Sequence, residues 1–395
     1  MKKTVYVVTE YYHSTQNTTG YFFEKLCNAL VKDKDIDLKF IVKEDPNLSQ
    51  SENFIYIKPP IKKDKASIFR RTMFEIVLAF SFLAKIFTHV KKSDTVFSGT
   101  NPSFLLLVIA SLQKIIGFKW VLLVHDVFPE NLVPAKILKS NQLFYKILKK
   151  IFDKVYSQPQ RVIVIGKDMK ELLYLKTKNK ENIDIVQNWI DESDITVQNR
   201  SDNEILKNIG WQNSSETIFL YFGNIGRVQG IDTILDAVPL MKHSNKAKFL
   251  FVGDGSYVEQ LKNKIVNMNN PNVHYYGSIG QDNKSLGLNA GDIALVTLAD
   301  GMFGLGVPSK TYFSMATNKP VFAIVDQQSE VADMIHQHNI GWTIDPKDTS
   351  AIAQLLDSVV LLDHQYDLNS PKEILQGYYS ESSAVGKIIA IIKKI

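Results

Sequence analysis

Residues 304–321 read Gly304-Leu-Gly-Val-Pro-Ser-Lys-Thr-Tyr-Phe-Ser-Met-Ala-Thr-Asn-Lys-Pro-Val321. The glycines and Pro308 are typical of a loop, Ser309–Thr317 has the composition of a short helix, and the apolar run from Pro320 predicts a buried strand. The start of a helix exposes unpaired N–H groups and the positive end of the helix dipole. Because Lys310 adds a full positive charge in the same turn, we expect this segment to bind a diphosphate.

Length and composition indicate a globular protein with two domains. The chain has 395 residues, of which 45% are hydrophobic and 22% charged. Its one cysteine, Cys27, excludes a disulfide framework or a cysteine metal cluster and fits a reducing cytoplasm. The first residues predict a strand rather than a signal peptide. No uncharged apolar run reaches the length of about 18 residues that a membrane span needs, so we expect a cytoplasmic protein.

The charge is distributed unevenly. Residues 1–190 contain 30 basic and 18 acidic residues, a net charge of +12, whereas residues 191–395 contain 16 and 23, a net charge of −7. A basic first half suggests that this half faces a polyanion or an anionic membrane. The alternative is a solvated basic surface without a partner.

Basic and apolar residues alternate in the stretch that precedes the apolar segment Thr72–Val90. Here we expect association with the inner face of the plasma membrane, with basic residues on lipid head groups and Phe69 in the interface; the basic residues are Lys62, Lys63, Lys65, Arg70 and Arg71. Nucleic acid is a competing partner, but no recognised nucleic-acid module is present. We expect Thr72–Val90, and the apolar face of the basic helix Asn141–Tyr156, to lie in the core.

Apolar strands and helices alternate along both halves, which predicts two α/β domains with parallel sheets. Ligands bind such sheets at the carboxyl ends of the strands. Gly20 lies between the first strand and its helix, and His125 ends the strand Trp120–Val124. A histidine there can donate a hydrogen bond to a sugar hydroxyl, although one satisfied by the backbone is the alternative. The absence of a G-x-G-x-x-G motif disfavours a nicotinamide oxidoreductase.

The segment Pro308–Val321 resembles the donor-binding motif of retaining glycosyltransferases of family four, which have the GT-B fold. Gly223–Gln229 and Asn188–Asp191 also resemble the bacterial branch that builds O-antigens and capsules, which includes N-acetyl-L-fucosaminyltransferases. The resemblance implies two Rossmann-like α/β/α domains whose parallel sheets face a cleft. Residues 1–190 would bind the acceptor and residues 191–379 the nucleotide sugar. A helix at about 380–395 would pack back on the first domain.

The same resemblance assigns roles to individual residues. It implies that His125 contacts the donor sugar and that Arg227 and Lys310 carry the charge of the diphosphate. It also assigns donor binding to a set of loop residues, of which Gly277, Ser278 and Ile279 would hold the base; the others are Gly20, Asn224, Gly253 and Ser309.

The chain departs from the wider family at two positions. Leu305 and Phe313 stand where the family carries two glutamates that bind the donor sugar and the ribose. Neither side chain can accept a hydrogen bond from a hydroxyl. We therefore expect Glu330 to bind the ribose and Asp300 to bind the sugar hydroxyls.

The sequence thus predicts transfer of a sugar, with retention, from a UDP-linked amino sugar to a lipid-linked or growing glycan. The reaction would need no cofactor and no metal, because cations and helix dipoles would stabilise the departing diphosphate. We find no pair of carboxylates of the kind that a retaining glycoside hydrolase uses, and we assign no protein nucleophile. The alternatives are a nonhydrolysing UDP-sugar epimerase and a nucleotide-binding subunit without catalytic activity.

Overall fold

The first domain is built on a seven-stranded parallel sheet. The computed structural model describes residues 2–46, 52–59 and 68–395, except for the side chains of residues 68, 69, 71 and 281. The strands are β1 (Lys3–Thr9), β2 (Ile36–Lys43), β3 (Phe54–Ile57), β4 (Thr95–Ser98), β5 (Lys119–Val124), β6 (Arg161–Val164) and β7 (Ile183–Ile185). Their order in the sheet is β3-β2-β1-β4-β5-β6-β7. Valine, isoleucine and phenylalanine fill the central strands, which are buried on both faces as parallel sheets require.

The second domain repeats this plan with a six-stranded parallel sheet. Its strands are β8 (Thr217–Phe222), β9 (Ala247–Val252), β10 (Val273–Gly277), β11 (Ile293–Thr297), β12 (Val321–Ile324) and β13 (Gly341–Ile344). They are ordered β10-β9-β8-β11-β12-β13. In both domains the order reverses beside the first strand, which places a crevice at the carboxyl ends of the strands.

Helices connect the strands of both sheets. Those of the first half are α1 (Thr18–Lys32), α2 (Ile68–His89), α3 (Leu105–Ile116), α4 (Leu143–Tyr156) and α5 (Lys167–Thr177). Those of the second half are α6 (Glu204–Asn208), α7 (Ile231–Ala237), α8 (Val258–Met268), α9 (Lys284–Leu288), α10 (Lys310–Met315), α11 (Glu330–His338), α12 (Thr349–Leu361), α13 (Pro371–Tyr378) and α14 (Glu381–Lys394).

The chain passes between the domains twice at one place. Ile190, on the way out of the first domain, forms a parallel bridge with Ser380, on the way back. Helix α14 then lies against α1. Lys25 of α1 pairs with Asp194 at 2.9 Å and with Glu381 at 3.6 Å, so one ammonium ties both crossings to the first domain.

Helix α2 packs in the core along one face only. By length and composition alone its segment Thr72–His89, with a mean hydropathy of 1.4, could cross a membrane. Its residues Phe74, Leu78, Phe82 and Ile86 are nevertheless buried, and the helix contacts α3, β2 and β3. The expectation that Thr72–Val90 lies in the core therefore holds for this face alone, because only 28% of the segment Thr72–His89 is buried and Phe80 and Phe87 are exposed.

The expectation that the apolar face of α4 lies in the core is wrong for half of that face. Tyr145 and Phe152 are buried, but the apolar residues Leu143, Phe144, Ile147 and Ile151 are exposed. The helix contacts its neighbours α3 and α5. Its apolar residues span a wider arc than those contacts bury.

The basic segment that we expected at the membrane lies largely outside the described residues. Lys62, Lys63 and Lys65 fall in the gap between residues 59 and 68, and the side chains of Phe69 and Arg71 are also outside the description. Arg70 is exposed in the first turn of α2. Membrane association of this segment therefore stays a prediction.

Candidate donor-binding cleft

A cleft of about 630 Å³ lies between the two domains. It is lined by loops that follow strands of both sheets, which is where ligands of α/β domains bind. Of the residues predicted to bind the donor, the cleft brings together His125, Asn224, Gly253, Ser278, Ile279, Ser309 and Lys310. Segments far apart in the sequence thus converge on one site.

Lys310 is the central cation of this cleft. Its ammonium donates hydrogen bonds to Gln229 Oε1 at 2.8 Å and to the hydroxyl of Tyr221 at 2.5 Å, and it lies 3.7 Å from the centre of the Tyr221 ring. Within the described part of the chain, no carboxylate forms an ion pair with it. Burial lowers the pKa of Lys310 well below its ordinary value. A bound anion would reverse that shift, so the site favours a negatively charged ligand.

The helix that begins at Lys310 is shorter than the sequence indicated. We expected Ser309–Thr317, but α10 ends at Met315, and Pro308 lies before the capping residue Ser309. Six residues give a weak dipole. The charge of the Lys310 side chain is therefore the stronger anion-binding feature of this segment.

His125 presents a neutral imidazole to the cleft. Its ring stacks on Phe22 with the ring centres 5.6 Å apart. Burial lowers the pKa of His125 to about 4, so the ring is uncharged at neutral pH. Among the described residues neither ring nitrogen has a hydrogen-bond partner. No backbone group among the described residues therefore forms a hydrogen bond with His125, in contrast to the alternative considered from the sequence. One ring nitrogen can donate a hydrogen bond to a ligand and the other can accept one.

Asp126 joins the cleft to the motif loop. It forms an isolated antiparallel bridge with Gly306, and the next residue, Val127, donates its N–H to the carbonyl of Leu305 at 2.9 Å. Burial raises the pKa of Asp126 to about 6. These contacts hold the loop of the second domain against the end of β5. They also place Leu305, which replaces a family glutamate, at the domain boundary.

Lys284 is a second cleft cation, and the sequence analysis missed it. It begins α9, and its ammonium lies 3.3 Å from the centre of the Phe313 ring and 5.1 Å from that of Tyr21. Burial lowers the pKa of Lys284 to about 7. The one sequence cue was its place a few residues after the predicted base-binding loop. A lysine thus covers the phenylalanine that replaces the second family glutamate.

Two glycines shape the loops where backbone approaches the cleft. Gly253 has a φ of +151°, and a Cβ there would lie 1.8 Å from the carbonyl oxygen of Gly223. Gly20 follows the Asn17 cap of α1, and a Cβ there would lie 2.1 Å from the carbonyl oxygen of His13. In both places the absence of a side chain lets two backbone segments lie in direct contact: two loops at Gly253, and a loop and the first turn of α1 at Gly20.

Five predicted residues lie outside the lining of the cleft. Gly20 lies in the first turn of α1, and Gly277 is the last residue of β10. Arg227 is exposed, and its charge acts on Tyr257. Asp300 is exposed and pairs with Lys347 at 3.5 Å. Glu330 is buried at the start of α11 and accepts a hydrogen bond from the N–H of Lys167 at 2.9 Å, so it contacts the first domain.

The described residues contain no group of three or more histidine, cysteine, aspartate or glutamate side chains placed to hold a metal ion. The polar groups that line the cleft are two lysines, an imidazole, amides, hydroxyls and the carboxylates of Asp126 and Asp254. Asn188 adds a buried side-chain oxygen that has no partner among the described residues. Such a set binds anions and hydroxyls.

Solved structures of similar architecture identify the class of protein. The chain is 14% identical to sucrose-phosphate synthase from Thermosynechococcus elongatus, with a TM-score of 0.75 over 100% of this chain and 99% of the other. It is 12% identical to Anabaena HepE in complex with UDP and glucose, with a TM-score of 0.73 over the full length of both chains. At such identities the likeness concerns the fold. It confirms the GT-B fold, with two parallel-sheet domains.

Sequence comparisons identify the family. Residues 216–360 match the family described as Glycosyl transferases group 1. The probable glycosyltransferase WbjE of Pseudomonas aeruginosa is 38% identical over 395 residues, which cover 99% of this chain and 98% of that protein. The chain belongs to the glycosyltransferase group 1 family, and it is a glycosyltransferase.

Proposed function

We propose that this protein transfers a sugar, an N-acetylated amino sugar, from a UDP-sugar to a lipid-linked or growing glycan of a bacterial surface polysaccharide. The product would be an O-antigen or a capsule, and the anomeric configuration would be retained. The observation that carries this proposal is the Lys310 ammonium, which faces the cleft with neutral partners.

The chemistry of the departing group explains why Lys310 matters. When the bond between the sugar and the diphosphate breaks, negative charge accumulates on the diphosphate. A cation held in place within a partly dehydrated cleft stabilises that charge more than water does. Tyr221 and Gln229 fix the position of the ammonium without neutralising it. This arrangement supports leaving-group stabilisation that does not require a metal.

Similar proteins support the donor and the pathway. Anabaena HepE has been solved with UDP-glucose. WaaB is described as a lipopolysaccharide outer core galactosyltransferase and WaaG as a glycosyltransferase involved in lipopolysaccharide biosynthesis. These descriptions favour a UDP-sugar donor and a surface glycan product. Retention and the amino sugar rest on the motif resemblance.

The neutral His125 is suited to the sugar end of the donor. Its ring nitrogens can contact hydroxyls, and Asn188 offers a further acceptor on the same side of the cleft. Asp126 lies beside His125 in the chain and has a raised pKa. These groups can hold a sugar above the diphosphate site.

A nucleotide-binding subunit without turnover is the second candidate. The observation that favours it is Phe313, an apolar side chain that lines the cleft where the family has a hydroxyl-binding glutamate. Release of UDP from a UDP-sugar in the presence of acceptor would exclude it. Binding of UDP without turnover would support it.

Binding of nucleotides to the full chain tests the donor site. UDP, GDP, CMP, TDP and NAD are compared by thermal shift and calorimetry, first with a chelator and then with magnesium. We expect UDP to stabilise the protein by about 2.7 kcal/mol at 100 times its dissociation constant. A response to GDP alone would change the donor, and a dependence on magnesium would contradict the metal-free proposal.

The first prediction concerns Lys310. Lys310→Ala should weaken UDP binding roughly 10- to 100-fold, because a hydrogen bond to a charged group contributes about 1.5–3 kcal/mol. Lys246→Ala, at an exposed lysine of the second domain, is the matched control and should leave the affinity unchanged. Equal affinity of Lys310→Ala and wild type would show that the diphosphate lies elsewhere.

A further inference from the structure

Helix α4 carries a row of large apolar side chains that face solvent. Leu143 is 73% exposed, Phe144 61%, Ile147 49% and Ile151 42%. Their spacing of three and four residues places them along one side of the helix. Ile137, 39% exposed in the preceding loop, lies nearby in the chain. Single exposed apolar residues need no explanation, but a contiguous row marks an interaction surface.

A row of lysines runs beside the apolar row. Lys146, Lys150 and Lys154 are exposed and four residues apart, so they lie along an adjacent side of α4. In the described ranges none of the three forms an ion pair. Lys149 and Lys176, in contrast, are neutralised: Lys149 pairs with Asp153 at 2.7 Å, and Lys176 with Glu130 at 2.5 Å.

The lysines also border a concavity of about 350 Å³. Its lining consists of Lys146, Lys149, Lys150, Asp153, Lys154, Ser157 and Lys176. Asp153 pairs with Lys149 and Lys176, and the Ser157 hydroxyl donates to the backbone carbonyl of Asp153 at 2.8 Å. Lys146, Lys150 and Lys154 are left as the lining cations without an ion pair among the described residues. The concavity therefore suits a phosphate-bearing head group.

We propose that this surface, made of the apolar and lysine rows of α4, docks the protein on an anionic phospholipid membrane. The apolar side chains would enter the interface while the lysines contact lipid phosphates. The net charge of +12 on residues 1–190 adds a long-range attraction to the same surface.

A second copy of this chain fits the surface less well. A two-fold dimer brings identical patches together, so the lysine rows of both copies would lie close to each other. Such like-charge contacts are unfavourable. A lipid surface supplies the opposite charge and a place for the aromatic and aliphatic side chains at once.

The location of the surface also suits the proposed function, on which this step rests. The chain runs from Asp126, which bridges to Gly306 at the cleft, through Ile137 to the start of α4. Docking through α4 would hold the first domain, and with it the acceptor side of the cleft, at the surface where a lipid-linked glycan is anchored.

Sedimentation of the full chain with vesicles tests the proposal. We expect binding to vesicles of phosphatidylglycerol and phosphatidylcholine, little binding to phosphatidylcholine alone, and weaker binding as salt rises. Since each lysine near an anionic membrane contributes about fivefold, the triple variant Lys146→Glu, Lys150→Glu, Lys154→Glu should lose on the order of a hundredfold or more in binding. The double variant Phe144→Ser, Ile147→Ser should also bind weakly.

Matched controls separate α4 from the general charge of the protein. Lys207→Glu, Lys242→Glu, Lys246→Glu changes three exposed lysines of the second domain, and Val266→Ser removes an exposed apolar residue there. Both should bind as wild type does. The thermal shift with UDP should be the same in every variant, which shows that the fold is intact and keeps this test independent of the donor site.

Several outcomes would overturn the proposal. One is that both α4 variants bind vesicles as strongly as the wild type. Loss of binding only when Lys62, Lys63 and Lys65 are changed would be a case of this outcome. Another is the absence of binding by the folded wild type. A third is a wild-type dimer in solution that Phe144→Ser, Ile147→Ser dissociates, because the surface would then be an interface between copies.

Discussion

At the scale of single residues, Lys284 and Phe313 show how one replacement alters the chemistry of a cleft. A glutamate at position 313 would accept hydrogen bonds from ligand hydroxyls. Phe313 instead offers a ring face, and Lys284 lies over it at 3.3 Å. At this place the cleft therefore has a cation that can donate hydrogen bonds instead of a carboxylate that accepts them. We therefore expect Lys284 to contact an anionic or hydroxyl oxygen of the donor.

The second prediction follows from the pKa of Lys284, which burial lowers to about 7. The free protein loses this proton as the pH rises through 7, and an anionic ligand restores it. UDP affinity should therefore be fullest below pH 7 and fall at higher pH by up to about tenfold per unit. Calorimetry in buffers of different ionisation heat should detect proton uptake on binding.

Variants of Lys284 separate its titration from that of the ligand. Lys284→Arg stays charged, so its affinity should lack this fall above pH 7. Lys284→Met should bind weakly at every pH. If wild type and Lys284→Arg share one pH profile, the titrating group is another residue or the nucleotide itself.

The sequence predicted Lys310 but not Lys284, for a physical reason. Lys310 lies inside a continuous motif whose loop, helix and strand each have local signals. Lys284 reaches the site because its ammonium lies over the ring of Phe313, 29 residues later in the chain, and no local pattern encodes that contact. Arg227 and Asp300 show the converse case, and their donor-binding roles stay predictions. Both follow strands in the expected order, yet their side chains are exposed and lie outside the lining of the cleft.

At the scale of elements, the close approach of the loops after β8 and β9 should be sensitive to added atoms. This is the third prediction. Gly253→Ala would place a methyl group 1.8 Å from the Gly223 carbonyl oxygen at a φ of +151°. We expect a loss of about 3 kcal/mol or more in the free energy of unfolding, measured by urea denaturation.

Gly210→Ala is the matched control. Gly210 also has a positive φ, +73°, but no atom lies within 4 Å of an added Cβ. It should cost about 1–2 kcal/mol, the backbone term alone. Equal losses in the two variants would mean that the contact between the loops adds nothing to the cost.

Sequence patterns predicted some secondary-structure elements well and the packing or length of others poorly. Continuous apolar runs predicted the parallel strands, because strands buried on both faces leave no room for polar residues. The exposed row on α4 was not predictable, since the amphipathic pattern does not say how much of an apolar arc its neighbours cover. The short α10 likewise reflects the loop geometry around Pro308 and Asn318 rather than helix propensity.

At the scale of the whole molecule, several contacts hold the domains in register around the cleft. The crossings at Ile190 and Ser380 and the bridge between Asp126 and Gly306 are two of them. In another, Glu330 of α11 accepts the N–H of Lys167 at the start of α5, and Gln187, three residues before Ile190, donates to its second oxygen at 3.4 Å. Such a contact between domains arises from tertiary packing, so the sequence alone favoured a ribose-binding role for Glu330.

The fourth prediction distinguishes these two roles of Glu330. As a contact between domains, Glu330→Ala should leave the Lys167 N–H unpaired and lower the free energy of unfolding by about 1–3 kcal/mol. UDP and 2′-deoxy-UDP should then lose affinity by the same factor, because the variant acts through the position of the domains. If Glu330 binds the ribose, Glu330→Ala should weaken UDP binding much more than 2′-deoxy-UDP binding.

Glu330→Gln is the control, because it keeps an acceptor oxygen for the Lys167 N–H. If Glu330 acts as a contact between domains, this variant should retain most of the stability. Calorimetry with both nucleotides decides the matter: an unchanged ratio of affinities supports the contact between domains, and a ratio that collapses towards one supports the ribose role.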